Sequence, residues 1–337
     1  MNNHIFVTHT AFQEFIAEAS AIHIKKSNPT DRFTLASENK IQERANAVWD
    51  STLQLENITP SSFGKHKEKL YDNNVTKLKN LTRNNTQNTL YISDIQWPLN
   101  NRLYFDRKIN TSFKFSMIID GTLAYYNPYK STLGILKDTL KYIVGKAGFG
   151  LHYTAYTGSI MGWERKQTDK VYGLDLKLSP IILDKQVNIE KHISKTGDLD
   201  VNRCIFLDQP YHNKMSAPDI RSLTSDTLKF INQESLQDTY YKAHHFSKEE
   251  YKNTFDFEKN KIVNSHECIE RMIPSYKFGT IVSYNSTALF TLKTIYKDNI
   301  RCISLRDKKK RIQINPISAK KIDDLFYKAG VEIHEIG

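Results

Sequence analysis

The chain has 337 residues, 39% of them hydrophobic and 25% charged, which suits two globular domains and excludes a disordered chain. Its three widely spaced cysteines argue against a disulfide framework and a cysteine-based zinc site, so a reducing cytosol is expected. The net charge of +11 predicts acidic partners such as nucleic acid, anionic lipid, nucleotides or acidic sugars.

The N-terminus lacks the charged start and the uninterrupted apolar run of a signal peptide. No stretch approaches the roughly 20 apolar residues that a membrane-spanning helix needs. A cytoplasmic location is therefore expected, with peripheral contact at the inner membrane as an additional option. The basic segment RDKKKR at 306–311 has two interpretations, a solvated turn or a contact with anionic lipid.

A strand, a turn and a helix open the chain. HIFVTH at 4–9 predicts a buried strand, and Thr10 with Gln13 forms a capping-box pattern ahead of an apolar helical stripe. This order is typical of an α/β domain. The rest of the first half predicts strands at 89–95, 103–107 and 113–120, and helices at 38–56, 65–80 and 130–146.

Residues 177–202 are polar and lack a sustained period, which predicts a linker between domains. The α/β rhythm then restarts, with strands predicted at 203–210, 238–244, 277–287 and 299–305, and helices at 219–236, 246–254, 288–298 and 316–329. The expected fold class is α/β, with two Rossmann-like domains, 1–178 and 179–337, facing a cleft.

The first stretch that can carry chemistry is SMIIDGTLAYY at 116–126, where an apolar run ends in Asp120-Gly121. In open α/β sheets, groups at the carboxyl ends of strands face the ligand. Asp120 could therefore act as a general base for a hydroxyl nucleophile. The alternative is a plain Asp-Gly turn.

The second stretch is YYKAHHFSKEE at 240–250, where His244 and His245 follow Lys242 at a predicted strand end. Adjacent histidines could form a metal site, an acid/base device, an anion contact or an exposed loop. No cysteine or acidic residue has metal-ligand spacing to them and no HExxH pattern occurs, which argues against zinc. A histidine beside a lysine suits phosphate and can protonate a leaving group near neutral pH.

The third stretch is GTIVSYNSTALFTL at 279–292, where a buried strand breaks into Asn285-Ser286-Thr287 before a helix. Serine and threonine are N-cap residues, and the start of a helix presents N–H groups that can bind an anion. The segment is not a P-loop. A plain helix cap and a phosphate cradle remain equal alternatives.

Taken in order, these stretches resemble the bacterial sialyltransferases and polysialyltransferases of capsule and lipooligosaccharide synthesis. Those families carry an acidic-acidic-Gly motif, a His-Pro motif and a Ser/Thr pair. Here Ile119-Asp120-Gly121, Lys242-Ala243-His244-His245 and Ser286-Thr287 look similar to them. The sequence departs from the pattern at Ile119, the first acidic position, and at His245, the proline position.

The resemblance implies the two-domain GT-B arrangement, CMP-sialic acid as donor, and neither a metal nor a cofactor. It implies an N-terminal domain that binds the acceptor and carries the base, and a C-terminal domain that binds the CMP-sugar. The implied catalytic residues are Asp120 as base and His244 at the leaving phosphate. The residues implied in donor binding are Gly121, Gln209, Pro210, Lys242, His245, Pro274, Ser286 and Thr287.

The expected activity is therefore inverting transfer of sialic acid to a hydroxyl of a bacterial surface glycan, which is either free or linked to a lipid. The nearest alternative is transfer of another CMP-nonulosonic acid, such as pseudaminic or legionaminic acid. A basic nucleic-acid-binding protein would also explain the charge. It leaves the three ordered motifs unexplained, so nucleic acid is not the expected partner.

Overall fold

The computed structural model describes residues 1–39, 48–58, 64–84, 86–126, 129–144, 153–195, 198–236, 238–244 and 261–337. They form two compact units, Met1–Ile193 and Ser194–Gly337. The boundary therefore lies after Ile193, within the predicted linker and later than the division at 178/179. The reason is that residues 186–188 form a strand that joins the sheet of the first unit.

The first unit is built on a parallel sheet flanked by helices. Its strands are β1 (Asn3–Thr8), β2 (Arg32–Ser37), β3 (Ser51–Gln54), β4 (Asn88–Ile92), β5 (Lys114–Ile118), β6 (Thr168–Gly173) and β7 (Gln186–Asn188). Its helices are α1 (Ala11–Ser27), α2 (Gly64–Lys79), α3 (Pro98–Phe105), α4 (Arg107–Asn110), α5 (Leu123–Tyr126) and α6 (Thr132–Val144). The strand order β3-β2-β1-β4-β5-β6-β7 reverses direction between β1 and β4, which is the topological switch point of a doubly wound sheet.

The second unit repeats this architecture with a different strand order. Its strands are β8 (Asp200–Leu207), β9 (Asp238–Lys242), β10 (Phe278–Ser283), β11 (Arg301–Asp307) and β12 (Glu332–Ile336). Its helices are α7 (Ala217–Gln233), α8 (Ile269–Tyr276), α9 (Thr287–Tyr296) and α10 (Pro316–Ala329). The parallel order β12-β11-β10-β8-β9 places the switch point between β8 and β10.

Burial explains why the central strands are long apolar runs. Every residue of β1 and β10 is buried, as expected for parallel strands covered by helices on both faces. In the second unit, Phe206, Tyr241 and Tyr284 belong to one buried core cluster. The sheets are therefore rigid supports for the loops at their carboxyl ends.

Two predicted elements of the first unit are wrong. The range 38–56 was predicted to be a helix, but residues 51–54 within it form the strand β3, and residues 40–47 lie outside the described part of the chain. The residues of β3 alternate between partly buried and exposed, as expected of an edge strand. The strand predicted over 103–107 is instead the end of α3 and the start of α4. Pro98 at the start of α3 and the fully buried pair Leu99 and Leu103 explain this helix, because residues four apart share one helical face.

The sequence prediction also missed five further elements of the first unit and the second: β2, β6, β7, β12 and α8, together with the short helix α5. The remaining predicted strands and helices are present with small shifts in their ends, except the helix over 246–254, which lies outside the described residues. Among the described helices, none is both long and apolar enough to cross a membrane.

Candidate active site

The carboxyl edge of the first sheet collects polar side chains from four strands. His9 follows β1, Glu38 follows β2, Asp94 follows β4 and Asp120 follows β5. The N–H of Ile119 still donates to the carbonyl of Tyr172 in β6 at 2.8 Å, so Asp120 is the first residue beyond the sheet. The sequence predicted Asp120 at this edge and did not predict the other three.

Asp120 is held by a side chain from the first helix. Gln13 Nε2 donates to Asp120 Oδ2 at 2.5 Å. Although part of the residue remains exposed, burial of the carboxyl group raises the pKa of Asp120 to about 6, and the negative charge of Asp94 adds to the rise. Gln13 and the nearby His9 oppose the rise in this pKa, since both favour the charged carboxylate. The result is a carboxylate whose basicity is tuned toward neutral pH.

Gln13 occupies the third position of the predicted capping box. Its backbone N–H donates to Thr10 Oγ1 at 3.2 Å, which confirms Thr10 as the N-cap of α1. Its side-chain Oε1 accepts from the N–H of His9 at 2.6 Å, and its Nε2 also lies 3.1 Å from Ser93 Oγ. The cap therefore fixes the Gln13 amide so that its N–H groups point to Asp120 and Ser93.

His9 and Glu38 form a buried pair beside Asp120. His9 Nδ1 lies 3.2 Å from Glu38 Oε2, and their side chains are only 3% and 4% exposed. His9 Nε2 lies 3.3 Å from Asn100 Oδ1, and its ring centroid is 4.8 Å from that of Trp97. Trp97 remains 39% exposed, so it presents an aromatic surface at this edge.

Asp94 has a structural role as well as an electrostatic one. Its Oδ1 accepts from the N–H groups of Gln96 and Trp97, both at 2.7 Å, in the turn that leads into α3. These bonds hold the Asp94 charge close enough to Asp120 to raise its pKa. Asp94 could have been predicted from the sequence, because it comes shortly after the apolar strand TLYI. That strand is β4, which lies at the switch point where ligands bind.

Gly121 follows Asp120 in an open part of the edge. A Cβ placed on Gly121 would meet no atom of the described residues within 4 Å. Protein packing therefore does not require glycine here, and the missing side chain leaves the space beside Asp120 clear.

The carboxyl edge of the second sheet gathers most of the residues predicted to bind the donor. Gln209 and Pro210 follow β8, Lys242 ends β9, His244 lies two residues further on, and the Ser286-Thr287 pair follows β10. The strands β8 and β10 flank the switch point of this sheet. The structure therefore brings these predicted residues to one edge, whereas His245 lies outside the described residues.

The start of α9 is a serine-capped helix N-terminus. Ser286 Oγ accepts from the N–H of Ala288 at 3.3 Å, and Ser286 is only 8% exposed. Asn285, just before it, has a φ of 52°, the left-handed conformation that turns the chain from β10 into the helix. The predicted helix cap is therefore confirmed, and the predicted phosphate cradle at the same N–H groups is compatible with it.

Lys242 and Gln209 contact the protein itself. Lys242 Nζ donates to the carbonyl of Ser265, and burial lowers the pKa of Lys242. Gln209 donates its Nε2 to the carbonyl of Asp208 at 3.0 Å and its N–H to Asp208 Oδ1 at 2.8 Å. Pro210 opens a 3-10 turn that follows directly.

Asp208 is a buried carboxylate that the sequence prediction missed. It is 2% exposed, and Tyr241 Oη donates to its Oδ2 at 2.8 Å. Its N–H donates to the carbonyl of Lys242 at 3.0 Å, which extends the pairing of β8 and β9. Asp208 therefore fixes the loop that carries Gln209 and the strand end that carries Lys242.

Pro274 is not brought to this edge. It lies inside α8, four residues before β10 begins, so chain connectivity places it near the amino end of that strand. Across the described part of the chain, no three His, Cys, Asp or Glu side chains are grouped so that they could hold a metal ion.

Neither a protein-family model nor a curated protein matches the sequence. Solved structures do match along nearly the whole chain. A 2,6-sialyltransferase from Photobacterium sp. JT-ISH-224, solved with the donor product CMP and the acceptor lactose, is 13% identical, with a TM-score of 0.58 over 98% of this chain and 78% of that one.

Two further structures show how widely the architecture is shared. The GT-B domain of a sialyltransferase from Photobacterium damselae is 12% identical, with a TM-score of 0.53 over 99% of this chain and 100% of that one. A UDP-N-acetylglucosamine 2-epimerase is 9% identical, with a TM-score of 0.51 over 99% of this chain and 84% of that one. The predicted fold class is confirmed: the chain is an α/β protein with two Rossmann-like units of the GT-B fold.

Proposed function

We propose that the chain is an inverting, metal-independent sialyltransferase that moves sialic acid from CMP-sialic acid to a hydroxyl of a bacterial surface glycan, in lipooligosaccharide or capsule. The observation that carries this proposal is Asp120, a strand-end carboxyl held by Gln13, with a pKa raised to about 6. Such a group is ionised at neutral pH yet basic enough to accept a hydroxyl proton in the transition state.

In the proposed reaction, the acceptor oxygen attacks the anomeric carbon of the donor sugar while the bond from that carbon to the CMP phosphate oxygen breaks. Asp120 takes the hydroxyl proton, and one displacement inverts the configuration. Negative charge develops on the departing phosphate. His244 and the N–H groups at the start of α9 are proposed to stabilise that charge, and His244 can supply a proton to it.

The proposed donor site has structural support from the second sheet. Lys242, His244 and the Ser286-capped start of α9 lie at the carboxyl edge beside the switch point, where doubly wound sheets bind ligands. The fold likeness to a sialyltransferase bound to CMP and lactose is consistent with a nucleotide-sugar donor and a glycan acceptor. Another CMP-nonulosonic acid is the nearest alternative donor, because the described contacts do not distinguish the sugar.

The proposed acceptor site lies at the carboxyl edge of the first sheet. The exposed Trp97 ring offers an apolar surface for a sugar near Asp120. We propose a glycan acceptor, free or lipid-linked, with the protein in the cytoplasm or peripheral at the inner membrane, and with no cofactor and no nucleic-acid partner.

Incubation with CMP-sialic acid and a panel of galactosides tests the proposal, with product mass, linkage and CMP release as readouts. A sialylated product is expected, with equal rates in EDTA. Asp120→Ala should lower the rate by about 10²–10⁴-fold while CMP still binds. If the protein consumes only another CMP-nonulosonic acid, that sugar nucleotide is the donor instead of CMP-sialic acid. A rate that depends on a metal would contradict metal independence. Full turnover by Asp120→Ala would show that Asp120 is not the base.

A further inference from the structure

Helix α6 presents an apolar stripe to the outside of the first unit. Five of its side chains are largely exposed: Leu133 (61%), Leu136 (57%), Leu140 (54%), Ile143 (55%) and Val144 (44%). At the angular spacing of an α-helix they fall within an arc roughly 100° wide. A surface helix normally turns such a stripe toward the core, so its exposure indicates an interaction surface.

Buried charge fixes this orientation. Asp138, on the opposite side of α6, is 3% exposed and forms an ion pair with Lys130, whose side chain is 1% exposed. Lys130 Nζ also lies 3.1 Å from the centroid of the Tyr156 ring. Rotating the helix to bury its leucines would separate this pair and expose both charges, so the outward apolar stripe belongs to the folded unit.

The charges near the stripe are positive. Lys137 lies at one margin of the apolar arc and is exposed, whereas the ammonium group of Lys141, further round the helix, lies 3.4 Å from Asp138 Oδ1. Asp138 is the one acidic residue of Thr132–Val144, and it faces inward. An apolar stripe with Lys137 at its margin and no acidic side chain on the same face complements an anionic phospholipid surface, where acyl chains receive the leucines and headgroups receive the ammonium group.

Two other interpretations fit the charges less well. A second copy of the chain docked through α6 would bring lysines together without an acidic partner on the facing helix. The basic segment 306–311 is largely engaged within the protein: Arg306 pairs with Asp323, and Arg311 pairs with Asp307 at 2.6 Å and Asp226 at 2.9 Å.

We propose that α6 docks the protein on an anionic lipid bilayer, with its axis in the plane of the interface. The helix lies in the connection between β5 and β6, which begins with Asp120. If the proposed function holds, an acceptor carried on a lipid would thus be presented to the unit that supplies the base.

Vesicle flotation of the full chain, without any donor, tests the docking separately from catalysis. We expect binding to vesicles of equal phosphatidylcholine and phosphatidylglycerol, much weaker binding to phosphatidylcholine alone, and release by high salt. Leu136→Ser with Leu140→Ser should lower the bound fraction about ten-fold or more. Lys137→Glu should weaken binding to the vesicles that contain phosphatidylglycerol and leave the weak binding to phosphatidylcholine vesicles unchanged.

Two variants provide matched controls. Leu183→Ser removes a leucine that is 79% exposed outside α6, and Lys310→Glu reverses an exposed charge in the basic segment. Both should bind like the unaltered chain. The proposal is overturned if the unaltered chain ignores anionic vesicles, if only Lys310→Glu loses binding, or if the α6 double variant converts a dimer to a monomer in light scattering without changing flotation.

Discussion

Gln13 joins the start of the chain to the proposed base. It lies 107 positions before Asp120, and its local pattern predicts only a helix cap. The structure confirms the cap, and it also shows that the side-chain amide of Gln13 donates to Asp120. This contact is possible because β1, which leads into the helix of Gln13, and β5, which leads to Asp120, both lie next to β4 in the sheet. The carboxyl thus has two opposed neighbours: the Asp94 charge raises its pKa, and the Gln13 hydrogen bond lowers it.

The pH dependence of kcat/KM tests this balance. Since protonation removes the base, kcat/KM should fall about ten-fold per pH unit below an apparent pKa near 6 and level off above it. Asp94→Asn removes a like charge and should move the midpoint to lower pH. Gln13→Leu removes a donor to the carboxylate and should move it to higher pH. Shifts in the same direction for both variants would contradict the assignment.

Thermal unfolding of Asp120→Asn provides a measurement that does not depend on activity. The pKa of Asp120 is raised from 3.8 to about 6, so the native state disfavours the ionised form. The resulting penalty is absent at acid pH, grows as pH rises from about 4 to about 6, and is complete above that range. Asp120→Asn should therefore stabilise the fold at pH 8 relative to the unaltered chain and lose that advantage near pH 4.

At the scale of elements, the sequence predicts best where a buried apolar run ends in a polar group. The runs of β5 and β10 have this form, and Asp120 and Ser286 were found from them, whereas Gln209, which follows β8, was implied only by the family resemblance. The neighbours that act on the pKa of Asp120 were not found, because His9 and Asp94 reach Asp120 only through the strand order around β1 and β4. Pro274 was assigned to the donor site from the family resemblance alone. The sequence did not reveal that it lies in α8, away from the carboxyl edge of the second sheet.

The start of α9 allows a test that separates capping from ligand binding. Ser286→Ala should lower stability by about 0.5–2 kcal/mol through loss of the cap and should also weaken CMP binding. Ser216 is also a serine N-cap, of α7, and it is exposed; its Oγ accepts from the N–H of Asp219, three residues on, at 3.3 Å. Ser216→Ala should cost similar stability in thermal unfolding while CMP affinity in calorimetry stays unchanged. Equal CMP affinity for both variants would leave Ser286 as a cap alone.

At the scale of the whole molecule, the net charge of +11 suits several classes of acidic partner. Each of the two doubly wound sheets has a ligand-binding edge at its switch point, so the proposed nucleotide-sugar donor fits this architecture. Part of the charge is also neutralised within the protein, as the ion pairs of Arg311 show. Net charge alone is therefore a weak guide to the partner.

Thermal stabilisation by ligands distinguishes these partners in the full chain. A ligand that binds the native state adds about 2.7 kcal/mol of stability at one hundred times its Kd. CMP and CMP-sialic acid at millimolar concentration should raise Tm, with the increase reduced in His244→Ala. A mixed-sequence oligonucleotide should produce a smaller shift that disappears at high salt, because its contacts would be electrostatic and screened. A large salt-resistant shift with the oligonucleotide and none with CMP would reverse the assignment, since nucleotide binding at the second edge would then be absent.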